Sequence, residues 1–246
     1  MKKIVLLAML IPIGFTPPDF MTQQLHSPRV REAMKTNGKA VDELLTSKGI
    51  NTQSFDLFLR AFKKEKVVEV WGRNKGTEAF TLLKSYDFCD TSGKLGPKRL
   101  SGDRQIPEGF YTIDAYNPES KYFLSFRINY PNASDKVLSD QLNPGDSIYI
   151  HGHCVTIGCI PLGDEVMKEL YLLVIKAKSA GQDVPVHIFP SKMDDAGYAA
   201  LKSEFSSDAT KLEFWSWLKP GYDAFEQNKT LPNVSIDATT GKYSVN

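Results

Sequence analysis

Short β-rich runs separated by turn residues fill the middle of this chain and limit the folds open to it. Residues 55–62 and 67–71 are two such runs, and the polar tetrad 63–66 between them predicts a hairpin. Further runs predict strands at 79–86, 110–115, 122–128, 147–150 and 184–189. Glycines and prolines between 89 and 109 predict a long loop. The pattern favours an α+β fold whose mostly antiparallel core occupies about residues 67–190, with helices before, within and after it.

A helix is predicted before this core. Ser27 has the residue type of an N-terminal cap, Pro28 suits the first helical turn, and Gly49 suits the stop. Apolar residues recur between them at helical spacing. Residues 21–54 are therefore predicted to form an N-terminal helical segment.

Further helices are predicted inside and after the core. Asp164 precedes a strongly periodic apolar run and is predicted to cap its helix. Ser191 and Asp208 are predicted to cap two helices in a C-terminal helical extension, residues 191–246. Pro220 and the glycine after it are predicted to end the second of these helices.

Charge and composition exclude several protein classes. Lys and Arg total 30 against 29 for Asp and Glu, which gives a net charge of +1. The chain therefore lacks the basic excess of a protein that binds nucleic acid through its phosphates. Its hydrophobic fraction of 41% is that of a soluble globular chain rather than a disordered one. The 3 cysteines are too few for a disulfide scaffold, and their odd number leaves at least one thiol unpaired.

The N-terminus has the pattern of a secretory signal peptide. Lys2 and Lys3 precede the apolar run 4–15, which is shorter than a membrane-spanning helix requires. Residues 1–20 are therefore predicted to be a signal peptide, and the mature chain is expected outside the cytoplasm. No later run is long and apolar enough to span a membrane, so no membrane span is expected after cleavage.

Histidine and cysteine cluster within nine residues, at His151, His153, Cys154 and Cys159. A thiolate nucleophile needs a nearby imidazole to accept its proton and to return it to a leaving amine. His151 ends a predicted strand, and Cys159 lies just before a predicted helix, so the fold can bring them together. Gly158 allows close backbone approach, and its amide and that of Cys159 are candidates for an oxyanion hole.

Two other interpretations of this cluster are open. Cys159 and His151 could be ordinary packed residues, although their clustering argues against that. His151, His153, Cys154 and Cys159 also have the residue types of metal ligands. Adjacent ligands at 153 and 154 would point in opposite directions in an extended chain, and no C-x-x-C pair is present. The cysteine nucleophile is favoured, with no metal and no organic cofactor.

The other two cysteines and the C-terminal aromatic residues receive structural interpretations. Cys89 is predicted to be a small packed residue. Cys154 is predicted to be a buried structural thiol, the alternative being a resting disulfide with Cys159 that would block the nucleophile. Five aromatic residues at helical spacing are predicted to pack in a core rather than to form a sugar-stacking surface. They are Phe214, Trp215, Trp217, Tyr222 and Phe225.

The segment 150–159, IHGHCVTIGC, resembles the active-site signature of the L,D-transpeptidase (YkuD-type) catalytic domain, in its YafK-like branch. The similarity extends upstream through 58–63, 69–71 and a set of shorter stretches. These stretches are 96–99, 102–103, 107–111 and 129–132. In total the resemblance covers about residues 55–190.

The resemblance implies a role for individual residues. It assigns Cys159 as the nucleophile, His151 as the general base and acid, and Thr156 as the hydroxyl residue three positions before the nucleophile. Gly152, like Gly158 and Thr156, is a candidate for a residue that supports the catalytic pair. Most of the wider family has a histidine two positions before the nucleophile, whereas this chain has Ile157, as in the YafK-like branch.

The resemblance also implies a β-rich catalytic core that acts on the stem peptides of peptidoglycan in a bacterial periplasm or cell envelope. Acyl transfer to an amine would crosslink, and transfer to water would trim a stem or release a wall-anchored protein. Lys98, Arg99, Arg104 and His153 are weaker candidates for substrate binding. The alternative from another class is a non-catalytic wall-binding protein with the same fold.

Overall fold

The structure is a computed structural model that describes residues 19–77 and 79–246. The predicted signal peptide, residues 1–20, lies outside the described residues except for its last two positions. Within the described part of the chain, no helix combines the length and apolar character needed to cross a membrane.

Eight strands form one sheet in the order β3-β2-β1-β8-β4-β5-β6-β7, and a separate hairpin pairs β9 with β10. The strands are β1 Phe55–Phe62, β2 Val67–Asn74, β3 Thr81–Asp87, β4 Gly109–Ser120, β5 Phe123–Ile128, β6 Ile148–His151, β7 Ile160–Pro161, β8 Pro185–Phe189, β9 Val234–Ile236 and β10 Tyr243–Val245. All neighbouring strands of the large sheet are antiparallel except the β1–β8 and β6–β7 pairs. The predicted α+β fold with a mostly antiparallel core is confirmed.

Helices cover both faces of this sheet. They are α1 Phe20–Gln24, α2 Pro28–Ser47, α3 Ala133–Leu138, α4 Asp164–Ser179, α5 Asp195–Glu204 and α6 Ala209–Asn228. On β1, Leu57 and Leu59 belong to the core shared with α2 and α4, whereas Phe62 packs in a cluster with α6. Strand β1 is therefore buried on both sides, which explains why its sequence lacks a clean alternation of apolar and polar residues.

The N-terminal helix forms as predicted. The Ser27 side chain accepts a hydrogen bond from Arg29 N at 3.2 Å, and Pro28 occupies the first helical position. Gly49, with a φ of 71°, follows the helix in the left-handed conformation that suits glycine after a C-terminus.

Two predicted helix caps are wrong. Asp164 does not cap α4, because Gly163 occupies the cap position and offers no side-chain hydrogen bond. Asp194 rather than Ser191 caps α5, with its side chain accepting from Gly197 N at 2.8 Å. The predicted cap at Asp208 is confirmed, since its side chain accepts from Lys211 N at 3.0 Å.

The predicted stop at Pro220 is also wrong, because α6 continues through it to Asn228. Leu218 and Tyr222 on either side of the proline are buried against the sheet, and this packing outweighs the local cost of proline. The C-terminal extension is not purely helical either, since it ends in the β9–β10 hairpin.

A buried polar network joins β1, the segment 88–108 (hereafter the basic loop) and α6. The Lys63 ammonium donates to Gly96 O at 2.7 Å, to Ile106 O at 2.8 Å and to Glu108 Oε1 at 2.9 Å. Trp215 Nε1 donates to the other Glu108 oxygen at 2.6 Å. Because each group is buried and hydrogen bonded, the network fixes the basic loop between the sheet and the C-terminal helix.

Candidate active site

The β6–β7 pairing brings the segments that carry Cys159 and His151 to the same edge of the sheet. In this parallel pair, Ile150 lies opposite Ile160, and His151 lies opposite Pro161. His151 is the last residue of β6, and Cys159 directly precedes β7. The two predicted site residues therefore belong to neighbouring segments of this edge.

The buried His151 ring has a defined tautomer. Its Nδ1 is hydrogen bonded to the carbonyl oxygen of Gly152, and a carbonyl can only accept, so Nδ1 carries the proton. The neutral ring therefore has an unprotonated Nε2. The ring centroid lies 4.7 Å from that of Tyr122. Burial lowers the pKa of His151, and nearby His153 lowers it further, against the opposing effect of the Gly152 bond.

Burial disfavours the charged form of the half-buried Cys159 thiol. Burial raises its pKa above the ordinary value, and two weaker effects oppose that rise: a backbone hydrogen bond from Tyr149 and the positive charge of Lys98. Burial thus disfavours the charged form of both groups, which favours proton transfer during attack over a preformed thiolate.

Thr156 organises the turn that carries the nucleophile. Its Oγ1 accepts from the amides of Gly158 at 3.2 Å and Cys159 at 2.9 Å, and its hydroxyl donates to the Cys159 carbonyl at 2.8 Å. The two amides predicted for an oxyanion hole therefore already have a partner, and an oxyanion would have to replace the Thr156 hydroxyl. The φ of 137° at Gly158 favours glycine, and a Cβ there would lie 3.0 Å from Gln105 O.

A disulfide fixes the segment before the nucleophile. Cys89 is bonded to Cys154 across 65 residues, and Cys159 is the free cysteine. Both predictions for the other cysteines are thus wrong: Cys89 is not simply a packed thiol, and Cys154 is not a free one. Spacing along the sequence could not reveal this bond, because the end of β3 and the 152–159 segment meet only in the folded sheet.

Asp164, at the start of α4, also fixes the segment between His151 and Cys159. Its Oδ1 accepts from His153 N at 2.7 Å, and its Oδ2 lies 3.7 Å from His153 Nε2. A Cβ on Gly152 would lie 2.5 Å from Asp164 Oδ1, so only glycine fits there. The metal site weighed from the sequence does not assemble, because Cys154 is committed to the disulfide. Across the described residues no other cluster of metal-ligating side chains occurs.

The predicted substrate-binding cations differ in their surroundings. Lys98 is buried, and its ammonium donates to Asp103 Oδ1 at 2.6 Å. Arg99 donates to Asp135 Oδ1 at 3.0 Å. Arg104 is the exposed one of the three. Lys98 thus acts on the site through its charge, with Asp103 as a partner that the sequence analysis did not single out.

The nucleophile turn exposes apolar side chains. Val155 is 57% exposed and Ile157 is 74% exposed, although both are large hydrophobic residues. Exposed apolar groups beside the free Cys159 thiol suit contact with a binding partner. The absence of a histidine at 157, noted as a departure from the wider family, therefore leaves an apolar surface next to Cys159.

These features agree with the comparison to known protein families. Residues 60–188 match the family described as the L,D-transpeptidase catalytic domain (YkuD). The chain belongs to this family, as its signature predicted. Family membership supports a peptidoglycan-modifying role.

Curated relatives of the chain include a protein of Escherichia coli (strain K12) named "Putative L,D-transpeptidase YafK". The two are 37% identical over 192 residues, which are 77% of this chain and 73% of the relative. A relative of the same name in Escherichia coli O157:H7 matches equally.

Two similar solved structures are the helical cell shape determining protein Pgp2 of Campylobacter jejuni and Bd1075 of Bdellovibrio bacteriovorus. Pgp2 has a TM-score of 0.44 and 19% identity, with 80% of this chain and 80% of that chain covered. Bd1075 has a TM-score of 0.39 and 20% identity, with coverage of 74% and 78%. At these scores the family assignment rests on the sequence matches alone.

Proposed function

We propose that this protein is an exported bacterial enzyme in which Cys159 and His151 carry out acyl transfer on peptidoglycan stem peptides. The observation that supports the proposal is the β6–β7 pairing, which brings the segment that carries Cys159 beside the strand that ends at His151, whose Nε2 is unprotonated. This is the arrangement that a thiol nucleophile and its general base require.

In the first half-reaction, His151 Nε2 accepts the Cys159 proton while Sγ attacks the carbonyl carbon of the diamino-acid residue at the third stem position. The C–N bond to the terminal D-alanine then breaks, and the leaving amine takes the proton from Nε2. The product is a thioester on Cys159 and free D-alanine. The Nδ1 bond to Gly152 supports this step, because it keeps the same tautomer ready for both proton transfers.

In the second half-reaction, an acceptor attacks the thioester. His151 Nε2 takes a proton from an amine or from water, the C–S bond breaks, and Sγ recovers the proton. An amine acceptor gives a crosslink, and water gives a trimmed stem. The alternative within the same chemistry is a hydrolase of amide bonds that releases a wall-anchored protein.

Location outside the cytoplasm has independent support from the disulfide. Structural disulfides form in oxidising compartments such as the bacterial periplasm and are rare in the cytosol. The Cys89–Cys154 bond therefore agrees with the signal-like pattern of residues 1–20.

The test is digestion of purified sacculi, followed by separation of the muropeptides. New dimers indicate crosslinking, loss of D-alanine indicates carboxypeptidase activity, and freed tethered remnants indicate release of anchored protein. Cys159→Ala is the matched control and should leave sacculi unchanged. Unchanged sacculi with the folded wild-type protein, together with no adduct on Cys159 from a carbapenem, would favour the non-catalytic wall-binding alternative.

A further inference from the structure

A cavity of about 430 Å³ opens between α6 and the basic loop. This volume lies within the ~300–1,000 Å³ range of ligand sites. Leu138, Phe214 and Trp217 supply apolar walls, and Gln105 is among the polar groups between them. Of the five aromatic residues predicted to pack in a core, four are buried, whereas Trp217 is half-buried, with its ring centroid 5.9 Å from that of Phe214. Part of the Trp217 side chain is therefore accessible to a ligand.

The cavity ends beside the nucleophile turn. Gln105 lines it, and the carbonyl oxygen of Gln105 lies 3.0 Å from the position that a Cβ on Gly158 would occupy. Gly158 directly precedes Cys159. One residue, Gln105, therefore contacts both the cavity and the nucleophile turn.

The cavity is held open by fixed elements. Trp215 on α6 bonds to Glu108 at the end of the basic loop, and Glu108 also accepts from Gly96 N at 2.7 Å. The walls on the two sides are thus joined by buried hydrogen bonds. A site preformed in this way loses little free energy in ordering its own side chains on binding.

The two cations that line the cavity are each paired with a carboxylate. Arg99 bonds to Asp135, and the Lys211 ammonium lies 3.0 Å from Asp208 Oδ2. The remaining charged residue of the wall is Glu213, which is exposed. No spare cation is therefore present here for the carboxylates of a stem peptide. The walls favour a ligand without net charge that offers an apolar face to an aromatic ring and amide or hydroxyl groups to polar side chains.

We propose that this cavity binds an N-acetylated amino sugar of the glycan strand whose stem peptide reaches Cys159. The inference rests on the proposed function and specifies its substrate: the enzyme recognises glycan and peptide together, the glycan through α6 and the peptide through the nucleophile turn. Such a ligand has ring faces for Trp217 and neutral polar groups for Thr210, which also lines the cavity, whereas the Gln105 side-chain oxygen already accepts from Lys94 N at 2.6 Å.

Trp217→Ala tests the proposal, with Tyr198→Ala as the matched control. Tyr198 is a half-buried aromatic residue on α5 that does not line the cavity. Turnover is compared on a disaccharide–tetrapeptide monomer and on the free tetrapeptide. We expect Trp217→Ala to lower kcat/KM on the disaccharide–tetrapeptide by about tenfold, the equivalent of one lost aromatic contact, and to leave the free tetrapeptide unaffected. Equal losses on both substrates, or no loss on either, would overturn the proposal.

A binding measurement without turnover tests the glycan site independently of the proposed acyl transfer. Chitotetraose, an uncharged oligomer of N-acetylglucosamine, is titrated into the Cys159→Ala variant while tryptophan fluorescence is followed. Binding that is lost in Trp217→Ala and kept in Tyr198→Ala supports the glycan site. If that binding is found but the wild type turns over neither substrate, only the proposed acyl-transfer function is contradicted. Absence of chitotetraose binding, with a folded protein, overturns the glycan site.

Discussion

Thr156 holds the Cys159 backbone from both sides of the residue. Its Oγ1 accepts from the Cys159 amide at 2.9 Å, and its hydroxyl donates to the Cys159 carbonyl at 2.8 Å. One side chain therefore sets the orientation of the nucleophile before any substrate binds. The same hydroxyl occupies the amides that could receive an oxyanion, so Thr156 connects the positioning of the thiol with the stabilisation of charge on the substrate.

Replacing this hydroxyl should damage catalysis more than stability. Thr156→Val keeps the branched shape but leaves two amides without their partner, which we expect to lower the free energy of unfolding by about 1–3 kcal/mol. Misplacement of the nucleophile should lower kcat by about 100-fold. Thr156→Ser retains the hydroxyl and should recover most of the activity. Denaturant unfolding and turnover measure the two effects, and a valine variant with wild-type kcat would contradict the positioning role.

Removing the Lys98 charge should raise the pKa of the Cys159 thiol. The Lys98 ammonium lowers that pKa, and its loss also leaves the Asp103 carboxylate without its cation. We expect iodoacetamide to alkylate Cys159 more slowly at pH 8 in Lys98→Met. Lys94→Met is the matched control, because Lys94 is an exposed cation of the same loop. Superimposable curves of alkylation rate against pH for the wild type and Lys98→Met would refute this electrostatic effect.

The fall of kcat/KM at low pH should reflect protonation of His151. The ring must be neutral to accept the thiol proton, and burial holds its pKa below the ordinary value of 6.5. We expect kcat/KM to stay level from neutral pH down past 6.5 and to fall only under more acidic conditions. His26→Gln, which removes an exposed imidazole of the N-terminal segment, should leave the limb in place. A limb centred above pH 6.5 would argue against His151 as the base.

The disulfide should leave one titratable thiol and add substantial stability. Thiol titration under denaturing, non-reducing conditions should find one thiol in the wild type and none in Cys159→Ala. Closing a loop of 65 residues restricts the unfolded chain by about 4 kcal/mol in the chain-entropy treatment. The double variant Cys89→Ala/Cys154→Ala should lose about 2–4 kcal/mol of unfolding free energy. Three titratable thiols in the wild type would show that the bond does not form.

Local patterns were enough to predict much of the fold. The hairpin 55–74, the capped N-terminal helix and the loop before β4 depend on turn residues and periodicity that lie close together in the sequence. The errors arose where distant packing decides the outcome. The continuation of α6 through Pro220 depends on burial of its neighbours against the sheet, and no window around the proline contains that information.

The site was predictable in part for the same reason. Cys159 and His151 stood out because they are eight positions apart in a glycine-rich segment, and the structure pairs the strands next to them at one sheet edge. The partners that shape their surroundings come from elsewhere: Cys89 lies 65 residues before Cys154, and Asp103 lies beside Lys98 in a loop read only as basic. Residue types could nominate the reacting groups but not the contacts that tune them.

The Cys89–Cys154 bond also determines how the protein responds to cleavage. Leu142, in the segment between α3 and β6, is 97% exposed. A protease that nicks the chain there cuts between the two bonded cysteines, so the fragment with β4 and β5 stays covalently tethered to the fragment with Cys159. A nicked molecule would therefore migrate as a single species in a gel until a reductant separates its two pieces.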